Sequence, residues 1–202
     1  MFIVIEGIDG AGCETQSRMV LEKLKLSFGS TQDDQKKNVF LVKFPHYDTP
    51  VGKMIKDFLY LNQKMKAHEQ FLLYTLQFIF DVEEIRQKLQ KGSLIADRYF
   101  TTTLCYQTLE GFDEKVALRY ADDFGIIKPD LVFFLDVKPE TAIKWKYGEG
   151  KKLNFREKDL DFMKKTYEKY QDLINRQTWT KWVRINGEQE KEKVTEEIIK
   201  NL

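Results

Sequence analysis

Five short runs rich in β-branched and aromatic residues, Phe2–Glu6, Asn38–Phe44, Ser93–Asp97, Leu131–Val137 and Thr180–Ile185, set the tightest limit on how this chain can fold. They are apolar at consecutive positions instead of alternate ones, the pattern of strands covered on both faces. The stretches between them, roughly residues 14–28, 51–62, 66–91, 113–124, 138–147, 157–175 and 188–201, are long enough for crossover helices. Strand, helix and parallel strand in succession predict an α/β fold of three layers, a five-stranded parallel sheet with helices on both sides. A length of 202 residues without an internal repeat suits one domain over 1–202. Residues 30–37, Ser-Thr-Gln-Asp-Asp-Gln-Lys-Lys, read as a solvated connection.

Charge and cysteine content narrow the function classes. With 33 Lys and Arg against 32 Asp and Glu, the chain lacks the excess of cations that a dedicated duplex-binding protein needs, so no nucleic-acid partner is expected. An apolar fraction of 42% excludes a disordered chain. Two cysteines, Cys13 and Cys105, are too few for a disulfide framework, and no Cys/His cluster has metal-ligand spacing. Met1 runs straight into Phe-Ile-Val-Ile without a basic segment, and the longest apolar stretch, Phe71 to Phe80, is about half of the ~20 residues that cross a bilayer. A cytoplasmic protein without a membrane partner is expected. The first half of the 66–91 helix has almost no polar face. It is either sandwiched within the fold or turned in part toward a second subunit or a flat aromatic ligand.

The first run ends in Glu6 and enters Gly7-Ile8-Asp9-Gly10-Ala11-Gly12-Cys13-Glu14-Thr15-Gln16, ahead of an amphipathic helix. Glycines there let backbone N–H groups converge on phosphate oxygens, and the helix adds the positive end of its dipole. The full phosphate-loop motif continues with Lys and then Ser or Thr, a cation for the β- and γ-phosphates and a hydroxyl for Mg²⁺. This chain has Cys13 and Glu14. A thiol carries no fixed positive charge, whereas the Glu14 carboxylate could ligate Mg²⁺. At a helix N-terminus, Cys13 is expected to have a lowered pKa, to react with maleimide faster than Cys105, and to be shielded by nucleotide. The third run ends in Asp97-Arg98-Tyr99, at the sheet edge where parallel folds bind ligands. Arg98 suits bidentate contact with phosphate, and a structural Asp–Arg ion pair is the alternative.

Ile5-Glu6-Gly7-Ile8-Asp9-Gly10-Ala11-Gly12, Phe44-Pro45, Leu72-Leu73-Tyr74 and Asp97-Arg98-Tyr99 through Tyr106-Gln107 come in an order and spacing that resembles the thymidylate kinases. Arg184-Ile185-Asn186-Gly187 before an acidic helix resembles the segment beside adenine in that family. The resemblance implies a P-loop kinase fold, a homodimer, and transfer of the γ-phosphate of Mg·ATP to dTMP to give dTDP on the way to dTTP. It also implies roles. Residues Gly7 through Thr15, with Asn186 and Gly187, would bind ATP. Asp9 would face the sugar 3′-hydroxyl, Tyr74 would stack on the base, and Arg98 would hold the acceptor phosphate. Asp97 would lie near Mg²⁺, Thr102, Tyr106 and Gln107 would line the base and sugar pocket, and Phe44 and Pro45 would form its opposite wall. For Tyr74 and Phe44 core packing is the alternative.

The departures from the family fall on charged positions. Beyond residues 13 and 14, Tyr47 stands at a position that is often Arg. Phe78 replaces the usual Arg that touches the acceptor nucleotide. The lid segment, approximately 145–157, keeps Lys151, Lys152 and Arg156 as cations for ATP, with a solvated loop as the alternative. Phosphoryl transfer depends on positioning and on cationic stabilisation. A catalytically inactive nucleotide-binding or partner-binding member is therefore the second reading.

Overall fold

The computed structural model describes residues 1–28, 38–61, 63–148, 150 and 153–202. Residues 30–37 and the lid lysines Lys151 and Lys152 lie outside the described residues. Strands β1 (Phe2–Glu6), β2 (Asn38–Lys43), β3 (Gly92–Asp97), β4 (Leu131–Asp136) and β5 (Trp182–Asn186) form one sheet, all parallel, in the order β2-β3-β1-β4-β5. Consecutive residues of β1 and β4 are buried, so both faces of the central sheet are covered, as the unbroken apolar runs require. The predicted α/β class and strand number hold, with ends displaced by one or two residues.

The helices are α1 (Cys13–Phe28), α2 (Pro50–Tyr60), α3 (Ala67–Lys91), α4 (Phe100–Leu109), α5 (Glu114–Asp123), α6 (Pro139–Gly148), α7 (Leu160–Asn175) and α8 (Lys191–Lys200). Their starts follow local chemistry. Thr49 caps α2 by accepting from Gly52 N at 3.0 Å, with Pro50 in the first turn. Asp113 and Asp159 cap α5 and α7 in the same way. Helix α4 is the one among the described residues that the sequence pattern did not predict. Thr101-Thr102-Thr103 gives it poor helix propensity, but Phe100, Leu104 and Cys105 are fully buried, and tertiary packing overrides propensity.

Helix α3 is sandwiched, as expected of its apolar first half: Phe71, Leu73, Tyr74, Thr75, Gln77 and Phe78 are buried. It also leaves Leu72, Leu76 and Phe80 exposed, one helical turn apart along a single stripe. No helix among the described residues is long and apolar enough to cross a membrane.

The sheet register brings the chemistry together. Asp97 at the end of β3 pairs with Ile5 on one side and Lys43 on the other, so β2, β3 and β1 end at one level. Phe44 N donates to Asp97 O at 3.0 Å and Arg98 N to Ile5 O at 3.1 Å, tying the three strand ends into one rim.

Candidate active site

A cavity of about 740 Å³ opens above that rim. Its floor is the loop after β1. Gly10 and Gly12 there have φ of 90° and 91°, a region L side chains rarely enter, and a Cβ on Gly10 would lie 2.7 Å from Ala142 O. Gln16 N donates to Gly12 O at 3.0 Å, so the loop passes directly into α1 and the helix presents its N-terminus to the cavity.

Asp9 and Arg98 both line the cavity and meet there, with Arg98 Nη2 donating to Asp9 Oδ1 at 2.9 Å. Burial works to raise the Asp9 pKa, but Arg98, Lys146, Arg156 and a hydrogen bond from Tyr106 together bring it below the usual carboxylate value. Arg98 itself has φ of 64°, a strained left-handed conformation for a residue with a side chain. Its backbone is fixed from beneath by Glu6. That buried carboxyl group accepts from Thr101 Oγ1 at 2.6 Å, Thr102 Oγ1 at 2.7 Å, Tyr170 OH at 2.8 Å and Tyr99 N at 3.3 Å. One acidic side chain thus joins β1, the Asp97-Arg98-Tyr99 turn, the start of α4 and α7.

Asp97 is almost fully buried, and burial pushes its pKa up to about 6 against the pull of Arg98 and Lys43. Glu14 moves the other way, held low by its hydrogen bond from Lys43 at 2.5 Å, with Arg18 at 2.9 Å as a second partner. Asp97 Oδ2 lies 3.7 Å from the same Lys43 ammonium, so two carboxylates converge on one cation. The hard oxygens of Asp97 suit Mg²⁺, which commonly takes one or two carboxylates and completes its shell with substrate phosphates and water, whereas both oxygens of Glu14, the other expected ligand, are engaged by Lys43 and Arg18. Among the described residues there is no group of three or more His, Cys, Asp or Glu able to hold a metal.

The expectation for Cys13 is corrected. The residue opens α1 and borders the cavity, but it is buried, and a Cβ on Gly7 would come within 3.2 Å of the sulfur. Burial pushes the thiol pKa up, and Asp97, Glu6 and Asp9 add to the rise. Cys13 and Cys105 are both free and buried. Mass-spectrometric tracking of maleimide labelling at neutral pH should find both cysteines slow in the folded protein. A rapidly labelled Cys13 would contradict this placement.

Aromatic side chains make up much of the rest of the lining. Tyr74 and Tyr106 contribute to it with Gln107, Tyr47, Phe44, Pro45 and Thr102. Arg156 enters the same wall, donating to Gln70 Oε1 and Glu110 Oε1, each at 2.5 Å, among Phe58, Tyr106, Phe155 and Phe162. It therefore sits beside the expected acceptor residues and is itself buried. Phe78 packs in the core against Phe44 and Tyr99, at 4.9 Å from each, and is not a wall residue. Gly7, Ile8, Asn186 and Gly187 also lie outside the cavity lining.

Sequence reasoning missed three contributors to this site. Lys43 precedes Phe44-Pro45 and was hidden at the end of a strand. Lys146 of α6 lines the cavity and is paired with Glu157, whose Oε2 also accepts from Asn154 N at 2.8 Å. Glu6 looked like the last residue of a strand. Its one signal was a carboxyl group at the end of a run otherwise buried on both faces, which requires internal hydrogen-bond donors.

The sequence profile described as thymidylate kinase matches residues 5–198. Similar proteins include one from Methanocaldococcus jannaschii named "Probable thymidylate kinase", 33% identical over 86% of this chain and 81% of its own length. A thymidylate kinase of Rickettsia typhi is 32% identical, covering 87% of this chain and 83% of its own. A "Probable thymidylate kinase" of Sulfolobus acidocaldarius is 32% identical, covering 98% and 94%.

Proposed function

The chain belongs to the thymidylate kinase family, and from that premise we propose that it is a nucleoside-monophosphate kinase that transfers the γ-phosphate of ATP to dTMP, giving dTDP and ADP. The carrying observation is that one cavity is lined together by the glycine-bearing loop, the Asp9–Arg98 pair, and Tyr74, Tyr106 and Gln107. The loop amides and the α1 N-terminus receive the donor phosphates. Arg98 offers its remaining donors to the acceptor phosphate, and Asp9, oriented by Arg98, faces the sugar. Tyr74 stacks on the base, while Tyr106, Gln107 and Arg156 close the acceptor end.

The acceptor is a phosphate monoester, largely a dianion near neutral pH, so an attacking oxygen needs no proton removed. The P–O bond to ADP breaks as the new P–O bond forms. The protein's part is alignment and stabilisation of charge on the transferring group. Asp97 would hold Mg²⁺, which when bound offsets charge on the donor phosphates, whereas Glu14 is engaged through both oxygens by Lys43 and Arg18. A reducing, cytoplasmic setting suits two free thiols.

A coupled ADP-release assay with ATP, Mg²⁺ and a panel of nucleoside monophosphates tests the reading. Turnover should be highest with dTMP. Measurable nucleotide binding without turnover on any monophosphate would favour the inactive, binding-only member.

We also propose a homodimer through α3. Leu72, Leu76 and Phe80 are 50%, 38% and 68% exposed, an apolar stripe that a second copy would cover. Light scattering at micromolar concentration should give twice the 24.0 kDa chain mass. Phe80→Glu should shift the population toward monomer, and a monomeric parent protein would overturn the proposal.

A further inference from the structure

We infer that Lys43, at the carboxyl end of β2, supplies the phosphate-facing positive charge that residue 13 of the loop does not. The inference rests on the kinase reading above and deepens its donor side. Cys13 is buried and uncharged in practice, so the loop itself presents backbone amides alone. The ammonium of Lys43 stands at the rim of that loop, 2.5 Å from Glu14 Oε2 in the first turn of α1 and 3.7 Å from Asp97 Oδ2. Register fixes it there, because Lys43 and Asp97 are paired across β2 and β3.

The two departures from the loop motif thus belong together. A carboxylate at residue 14 would repel phosphate if left alone, yet here its two oxygens are taken by two cations, Oε2 by Lys43 and Oε1 by Arg18. Glu14 orients Lys43 toward the loop mouth, and Arg18 keeps Glu14 neutralised when Lys43 turns to a phosphate oxygen. An ammonium has three donors, and Glu14 takes one within hydrogen-bond distance, while Asp97 lies beyond it. The Lys43 side chain is 46% exposed, which leaves it room to move.

The test is calorimetric binding of ATP and ADP beside the coupled assay. Lys43→Met should weaken ATP binding by about 10- to 100-fold, the range for losing a hydrogen bond to a charged group, and lower kcat as well. The thermal midpoint should stay close to the parent's, since a half-exposed ion pair contributes little to stability. Lys43→Met with Glu14→Gln separates direct contact from simple neutralisation of Glu14. It should stay defective, and adding Cys13→Lys to it should recover about 10-fold or more in ATP binding, because the charge then comes from the loop. Recovery of ATP binding by the Lys43→Met, Glu14→Gln pair alone would overturn the proposal. So would a Lys43→Met protein that binds ATP as tightly as the parent. If the parent protein proves unable to transfer phosphate, the binding arm still decides the role of Lys43, while the kinase reading fails separately.

Discussion

Glu6→Ala is expected to be the most destabilising single substitution in the site, costing about 3–5 kcal/mol, the range for breaking a buried polar network by removing one partner. Glu6 is 0% exposed, and its loss leaves the hydroxyls of Thr101, Thr102 and Tyr170 without their acceptor. Each buried donor left unsatisfied costs on the order of 1–3 kcal/mol, only partly relieved by rearrangement or by water entering the gap. For a domain of this size that corresponds to a fall of roughly 6–20 °C in the thermal midpoint. Glu6→Gln keeps the shape and one acceptor oxygen, so its fall should be distinctly smaller. A calorimetric scan of both proteins checks the account. Equal, small shifts would mean that the network does not brace the turn carrying Arg98.

Arg98→Gly should nearly abolish transfer while sparing the fold, lowering kcat/KM for dTMP on the order of 10³-fold or more, as expected for loss of an arginine that stabilises transferring phosphate. The physical reason for choosing glycine is the φ of 64° at this position. That conformation costs a residue with a Cβ about 1–2 kcal/mol and costs glycine almost nothing, so relief of strain offsets part of the lost Asp9 ion pair. The guanidinium is largely buried, its side chain 15% exposed, and Asp9 retains 24%, so the carboxylate left behind still reaches water. Activity and stability should therefore separate: turnover collapses and the thermal midpoint moves little. ATP binding, measured without acceptor, should change far less than dTMP binding. A loss of the fold in step with activity would make Arg98 a structural ion-pair residue, with Asp9 as its partner where the sequence had suggested the adjacent Asp97.

Local chemistry made much of this protein legible. Runs such as Ile3-Val4-Ile5 and Val132-Phe133-Phe134 mark strands covered on both faces because each residue there is apolar, whichever side it points to. The glycines at 10 and 12 mark a turn of positive φ, and Thr49-Pro50 marks a helix start, for reasons contained within a few residues. Asp97 and Arg98 stand out because they come at the end of a strand, whereas the role expected of Asp9 came from the family resemblance. Helix α4 was not legible, since its three threonines argue against a helix and only burial among α3 and α7 outweighs them.

Which charges meet was decided by the tertiary structure. Lys43 reaches Glu14 across 29 residues of sequence, Arg98 reaches Asp9 across 89, and Tyr170 reaches Glu6 across 164. None of these separations has a local signature, because they follow from the strand order β2-β3-β1-β4-β5 and from the level at which parallel strands end. Periodicity states that a segment is a strand buried on both faces, but not which neighbour it takes. The sequence by itself therefore determined the class of fold and the glycine-bearing loop that floors the cavity. Sheet order and register decided that a lysine from another strand would stand at the mouth of that loop, since electrostatic attraction depends on distance through space and not on distance along the chain.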